Sequence, residues 1–277
     1  MAYNTGVNTK NDLIIESVQR ELEAKATITT RVTDLSRLAG PGVKEIQIPK
    51  LDSFTAVDRA FGVAGSVSEL TDSVDSIALD QNVYVSWGMD RSSQFQSSIN
   101  YEIELAKRAA SAHSRFVNNL IVTRMIAAAG YVEGVAVVVT KSIMLNMYKT
   151  VLGFEGQVEN MNWECHIDQY TALLAISDFV DADKIGRGVL PSGAIGMLMG
   201  IPVIINNFVP NDQFLLHDKD GFGYALQQAP NLGEQPDIAF GSKGVKKALD
   251  QVMGCGHLQD NVKAVGAGNS PLIAVMK

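Results

Sequence analysis

The stretch of residues 99–129 contains no glycine or proline, and it constrains the fold more than any other part of this 277-residue chain. Its apolar positions recur every three or four residues, beginning with Ile99, Ile103 and Ala106, so they form one side of an α-helix. At ~1.5 Å per residue this helix is about 45 Å long. Gly130 follows it and is expected to be its C-terminal capping residue.

Two short segments on the N-terminal side of this helix predict β-strands, because apolar and polar residues alternate in them. The alternating apolar positions are Ile46 and Ile48 in the first segment, and Val83, Val85 and Trp87 in the second. The residues between the segments are rich in Gly, Ser, Asp and Val and show no lasting period. We therefore expect one long hairpin made of these two strands, with a tip that buries little of its own surface.

The rest of the chain alternates short helical and extended segments, which indicates a mixed α+β fold. Helices are predicted over residues 142–153 and 169–179, the second with Asp168 as its N-terminal cap. A short amphipathic helix over residues 12–26 is expected to follow a loose polar arm. The predicted strands are residues 163–166, 200–205, 214–218, 223–228 and 272–276.

Three glycines raise the question of phosphate binding: Gly193, Gly196 and Gly200 precede the apolar run IPVII. A P-loop carries Lys-Ser or Lys-Thr after its last glycine, and a dinucleotide-binding loop follows a strand instead of preceding one. The sequence meets neither condition. The glycines are therefore interpreted as turn positions leading into a rigid strand, with Pro202 fixing φ at the strand entry.

The composition argues against several classes of protein. A net charge of −7 is unlike a dedicated nucleic-acid binder, whose phosphate contacts need Lys and Arg. Two cysteines, Cys165 and Cys255, do not make a disulfide framework. No apolar run reaches ~18 residues and the N-terminus lacks a signal-peptide core, so we expect no membrane association.

The residues that could carry chemistry are all better explained as structural. The pairs Cys165–His166 and Cys255–His257 lack the spacing of zinc ligands, and His113 falls on the apolar side of the long helix. Two groups of acidic residues are typical of turns: Asp72, Asp75 and Asp80, and Asp178, Asp181 and Asp183. We therefore expect no catalytic residue, no metal and no cofactor.

The order of these parts resembles the HK97-fold major capsid proteins of tailed bacteriophages. EIQIPKLDSFTA resembles the entry to the extended E-loop, and YEIELAKRAASAHSRFVNNLIV resembles the spine helix of the P-domain. ECHIDQYTALLAISDF and LPSGAIGMLMGIPVIINNFVPN are similar to segments of the A-domain. VMGCGHLQDNVKAV, with its two glycines, resembles the return into the P-domain. The resemblance covers nearly the whole chain.

The resemblance implies a division of the chain into five parts. These are an N-terminal arm (1–44), an E-loop (45–88), a P-domain with the spine helix (89–141), an α/β A-domain (142–250) and a return to the P-domain (251–277). It implies a structural virion protein, assembled in the host cytoplasm, whose pentamers and hexamers form an icosahedral shell around double-stranded DNA. It also implies separate scaffold and portal proteins and allows for decoration proteins. Nothing in the sequence marks a covalent crosslink at Lys50.

The hairpin and the glycine-rich strand are the expected contacts between subunits. Apolar hairpin side chains without partners in their own chain would be buried on a neighbour, at ~25 cal/mol per Å². The expected contact residues are Ile46, Ile48, Phe54, Phe61, Val83, Tyr84, Trp87, Gly196, Gly200 and Pro202.

Three questions remain open at this point. The same fold would serve an encapsulin-like compartment that holds an enzyme, and a soluble α/β enzyme is a third hypothesis. The basic residues of the long helix are interpreted as a solvated face or, alternatively, as a weak contact with packaged DNA. They are Lys107, Arg108, Arg115 and Arg124.

Overall fold

The structure is a computed structural model. It describes residues 28–51, 72–89, 101–133, 138–154, 156–174, 176, 194–236, 245–258 and 270–276. Within these ranges the chain forms three α-helices and twelve β-strands arranged in three sheets, which is a mixed α+β fold. The helix predicted over residues 12–26 lies outside the described residues.

The long helix is present as α1, Tyr101–Ala127, whose 27 residues span about 40 Å. Gly130 does not cap it: that residue lies in the following strand, because the chain turns at Ala128 and is extended from Ala129 onward. No helix within the described ranges is both long enough and apolar enough to span a membrane.

Two shorter helices follow: α2, Lys141–Gly153, and α3, Ile167–Leu174. Thr140 caps α2, since its side-chain oxygen accepts a hydrogen bond from the amide of Ile143. The prediction that Asp168 caps α3 is wrong, because Asp168 already lies in the first turn. Its amide donates to Nδ1 of His166 at 3.3 Å, so the histidine ring takes the capping position.

A four-stranded sheet has the order β1-β10-β11-β4, in which β1 is parallel to β10 and the other pairs are antiparallel. Its strands are β1 Thr33–Asp34, β4 Gln81–Met89, β10 Phe222–Pro236 and β11 Val245–His257. The prediction of a strand at QNVYVSW is confirmed as β4, but its expected partner is wrong. It pairs with β11, where Val85 lies opposite Leu249, and α1 packs on this apolar face.

The hairpin consists of β2, Glu45–Leu51, and β3, Asp72–Ala78, with Ile46 opposite Ile77. The second strand was missed because its inward-facing positions do not form an apolar row. Asp75 and Ile77 lie on the same side, so a carboxylate interrupts the alternation. The first strand of the hairpin is therefore the predicted one, but its partner is β3 and not β4.

A six-stranded mixed sheet has the order β5-β12-β9-β6-β8-β7. Its strands are β5 Ala129–Glu133, β6 Met161–Cys165, β7 Ala194–Leu198, β8 Ile201–Ile205, β9 Phe214–Asp218 and β12 Ser270–Met276. Four of the predicted strands are thereby confirmed. Side chains of α2 and α3 cover one face around Trp163, which stacks on Phe214 with ring centroids 5.0 Å apart.

One apolar core joins the two larger sheets. Met253 and Cys255 come from the four-stranded sheet, and Leu215 and Val275 come from the six-stranded sheet. The C-terminal half of α1 and the segment starting at Ile28 fill the space between them. The sheets, α1 and this N-terminal segment therefore form one packed unit.

The predicted division into five ranges stays a prediction. Each of the two larger sheets takes strands from several of those ranges, and β11 runs without a break across the expected boundary at residue 250. Long-range strand pairing, which the local pattern does not specify, produces this arrangement.

The turn between β7 and β8 contains Met199 at φ 54° and Gly200 at φ 81°. Positive φ at both positions is the signature of a type I′ hairpin turn.

We expect Gly200→Ala to lower the free energy of unfolding by about 1 kcal/mol through backbone strain. A steric clash does not contribute, since a Cβ there meets nothing closer than 3.9 Å. Gly153→Ala is the control: a Cβ there has open space and no positive φ is involved. Equal urea midpoints for the two variants would contradict this expectation.

Candidate functional site at the base of the hairpin

The hairpin rests on the four-stranded sheet through a small buried core. Ile46 and Leu79 are 3% and 8% exposed and pack with Ala39 and Ala225. The amide of Leu79 donates to the carbonyl of Lys44 at 2.9 Å and closes the hairpin at this end. We call this region the hairpin base, and it comprises Ile46, Ile77, Leu79, Gly254 and Gly256.

Two glycines of β11 allow the hairpin to lie this close. A Cβ on Gly254 would come within 2.2 Å of the carbonyl oxygen of Ala78, and one on Gly256 would lie 3.3 Å from Cγ1 of Ile77. The two glycines are two residues apart, so they lie on the same face of the strand. The missing side chains let the backbone of β3 cross β11 at contact distance, and this contact sets the direction of the hairpin.

Four of the expected contact residues have partners within their own chain. Ile46 and Val83 are each 3% exposed, and Ile48 and Trp87 pack at the margins of buried clusters. The expectation that they lack local partners is wrong, because the hairpin packs on the sheet of its own subunit, and β4 pairs with β11 and packs against α1. Their part in contacts between subunits stays a prediction.

Other expected contact residues differ in their exposure. Tyr84 is 55% exposed, and Val74 of β3, which the sequence did not single out, is 56% exposed. These two large side chains therefore remain available on β4 and on the hairpin. Phe54 and Phe61 lie outside the described residues.

The glycine-rich segment forms the β7–β8 hairpin. The interpretation of Gly200 as a turn residue is confirmed, but that of Gly196 is wrong. Gly196 is buried inside β7 next to a register irregularity, because β7 pairs with β8 along this segment. Pro202 is the second residue of β8 and lies opposite Met197.

A cluster of buried polar groups lies where the N-terminal segment meets the six-stranded sheet. Glu164 of β6 is fully buried, and its Oε1 lies 3.0 Å from Nη1 of Arg31. Asn206 donates to its Oε2 at 2.6 Å, and Nε2 of His217 lies 3.4 Å from its Oε1. Burial alone would raise the pKa of Glu164. The hydrogen bond and charge of His217, the charge of Arg31 and the hydrogen bond from Asn206 together outweigh burial and hold that pKa well below its usual range.

The cysteines do not have the properties of nucleophiles or metal ligands. Burial raises the pKa of the Cys165 thiol to about 12. Burial likewise raises that of Cys255 to about 11, against the opposing effect of Arg124. A thiol protonated at neutral pH neither attacks nor binds metal readily. Within the described ranges, no three His, Cys, Asp or Glu residues are placed to share a metal ion.

The charged residues considered from the sequence mostly take structural roles. Arg124 donates to both carboxylate oxygens of Asp80, at 3.0 and 3.2 Å, and to the carbonyl of Cys255 at 3.1 Å. Asp75 lies 4.0 Å from the ring of His257 at the hairpin base. Arg108 and Arg115 are exposed on α1. Asp178, Asp181 and Asp183 lie outside the described residues.

Sequence reasoning missed the residues that organise this site. Gly254 and Gly256 carried a usable signal, since glycines two apart in an apolar strand indicate a close backbone approach on one face. Arg31 and Glu164 carried none, because they are 133 residues apart and neither lies in a recognisable motif.

Comparison with known proteins gives a fold and no sequence family. No protein-family profile and no curated protein sequence matches the chain. The capsid of an empty gene transfer agent (GTA) particle is similar at a TM-score of 0.66 and 15% identity, over 91% of this chain and 90% of that chain. A structure from Mycobacterium phage Che8 has the same TM-score and identity over 85% of both chains. A virus-like particle from Pyrococcus furiosus is similar at 0.62 and 9% identity, over 95% of this chain and 96% of that chain.

These similarities run through nearly the full length of each chain. The described sheets and helices therefore have the arrangement found in capsid and particle structures, and the prediction of an HK97-like capsid fold is confirmed at the level of overall architecture. At identities of 9 to 15% the likeness concerns the fold.

Proposed function

We propose that this chain is a major capsid protein that assembles with copies of itself into an icosahedral shell around double-stranded DNA. The observation that carries the proposal is the likeness to a gene transfer agent capsid over 91% of this chain and 90% of that chain. A structural role also agrees with the protonated, buried thiols and with the structural use of the buried carboxylate Glu164.

The finer parts of the proposal assign the described elements to the parts of an HK97-like subunit. We assign α1 as the spine helix and the four-stranded sheet with it as the core of the P-domain. The hairpin of β2 and β3, with the intervening residues 52–71, is the E-loop. The six-stranded sheet with α2 and α3 is the core of the A-domain, which would meet its copies around the five-fold and six-fold axes.

The hairpin base supports an intersubunit role for the hairpin. Because β3 crosses β11 in backbone contact, the direction of β2 and β3 relative to the four-stranded sheet is defined. We propose that the segment between these two strands contacts a neighbouring subunit. The proposed contacts are Phe54 and Phe61, which lie between the two hairpin strands in the sequence, the exposed residues Val74, Tyr84 and Gly200, and the half-buried Pro202.

Other partners follow from the capsid proposal. A separate scaffold, a portal and decoration proteins would accompany a shell of this kind. Arg108 and Arg115 are exposed on α1, so a weak contact with packaged DNA would involve this face if it points inward. The proposed location is the virion, after assembly in the host cytoplasm.

Negative-stain electron microscopy of the purified full-length chain tests the function directly. We expect closed particles of megadalton mass. Replacing residues 53–70 by a short Gly-Ser turn keeps β2 and β3 and the hairpin base, but removes the distal hairpin. This variant should stay folded and give no particles. A soluble small oligomer of the wild type would contradict the capsid proposal, and intact particles of the variant would contradict the role of the distal hairpin.

A shell without a genome is the second candidate function. The virus-like particle from Pyrococcus furiosus shares the fold over 95% of this chain, so the fold is compatible with an encapsulin-like compartment. The content of purified particles separates the two: nuclease-protected DNA supports the capsid, and a copurifying enzyme supports the compartment. A soluble α/β enzyme is the least favoured hypothesis, and a small monodisperse oligomer would be its signature.

A further inference from the structure

We propose that residues 28–44 form a strap that couples the position of the hairpin on β11 to the six-stranded sheet. The Arg31–Glu164 ion pair, which we call the latch, fixes the N-terminal end of this strap. The strap begins in the core between the two sheets and ends where β2 begins. The inference goes beyond the proposed function, since it concerns how two parts of one subunit are held together.

The latch is the N-terminal attachment of the strap. The side chains of Arg31 and Glu164 are 13% and 0% exposed, and their closest atoms are 3.0 Å apart. Asn206 and His217 occupy the remaining contacts of the carboxylate. Separating this pair would leave the buried carboxylate without its arginine, with Asn206 and His217 as its remaining partners, and this cost opposes partial opening of the attachment.

The middle of the strap is fixed along β10. Strand β1 has only two residues, and they pair in parallel with Gly223 and Tyr224 of β10. The amide of Leu35 then donates to the carbonyl of Tyr224 at 2.8 Å, and the amide of Leu226 donates to Oγ of Ser36 at 3.0 Å. The contacts of the strap with β10 therefore continue from its N-terminal attachment to its C-terminal attachment.

The C-terminal attachment of the strap lies directly before the hairpin base. The side-chain amide of Gln227 donates to the carbonyls of Gly40 and Val43, at 3.1 and 2.6 Å. Lys44 then accepts the hydrogen bond from Leu79 that closes the hairpin. A displacement that starts at Arg31 would thus reach the hairpin through successive contacts along the described residues of the strap.

The test is hydrogen exchange of the full-length chain in unassembled form, comparing wild type with Arg31→Met. We expect the amides of Leu35 and Leu79 to lose protection by about tenfold or more, while the amides of α1 keep theirs. Arg37→Ala is the matched control, because Arg37 is an exposed arginine of the same strap. It should leave both amides as protected as in the wild type.

A second variant covers the case in which Arg31→Met does not fold. The double variant Arg31→Met/Glu164→Gln removes both charges of the latch together, and the same loss at Leu35 and Leu79 is expected. Unchanged exchange at both amides would overturn the latch. Loss at Leu35 without loss at Leu79 would overturn the coupling. Equal loss throughout α1 would show global destabilisation and would also overturn the inference. None of these readouts depends on particle formation.

Discussion

Gly254→Ala is expected to displace the hairpin from β11 and to abolish particle formation. The added methyl group would lie 2.2 Å from the carbonyl oxygen of Ala78, and backbone atoms on both strands limit how far either can move. Overpacking of this kind costs about 1–3 kcal/mol, and we place this case at about 3 because the clash is with backbone. For a chain of this size that corresponds to a decrease in Tm of roughly 6–12 °C.

Gly233→Ala is the matched control for this prediction. Gly233 lies on β10, directly beside β11, but a Cβ there would meet only the carbonyl of Ala248 at 4.0 Å. The same chemical change should therefore leave Tm and particle formation near those of the wild type. Normal particles from Gly254→Ala, or equal Tm values for the two variants, would show that the close approach does not position the hairpin.

The folded subunit is expected to lose stability in mild acid through His113. This side chain is 1% exposed on α1, and neither ring nitrogen has a hydrogen-bond partner among the residues that the structure describes. Burial lowers the pKa of His113 from 6.5 to about 4. Between these values the unfolded chain binds a proton that the folded chain does not. The contribution is therefore fully favourable above pH 6.5, declines as the pH falls, and levels off below pH 4.

The effect should be measurable as a difference between variants. From pH 7.5 to pH 4.5 the wild type should lose about 2–3 kcal/mol more than His113→Leu, by urea unfolding of unassembled subunits. His113→Gln keeps a polar side chain but cannot titrate, so it separates proton binding from polarity and should share the flatter profile. Parallel pH profiles for wild type and both variants would contradict the prediction.

Only one of the two strands of the hairpin could be predicted from the sequence. Its first strand was predicted, because Ile46 and Ile48 alternate with polar neighbours. Its second strand was not, because Asp75 occupies an inward-facing position near His257. The correct pairing required knowing that β4 belongs to β11, and the two strands are separated by more than 150 residues. Local patterns report the environment of single residues and carry no information about distant partners.

The sequence by itself determined the elements whose pattern is long or repetitive. Alternation and helical period are properties of consecutive residues, so α1, β4, β8, β9 and the mixed α+β class were all predictable. Tertiary structure alone decided the strand order, the crossing at Gly254 and the burial of Glu164 beside Arg31. In each of these cases the physical cause is a contact between residues far apart in the chain. The missing side chain of Gly254 matters only because Ala78 lies against it, and Glu164 can be buried only because Arg31 lies beside it.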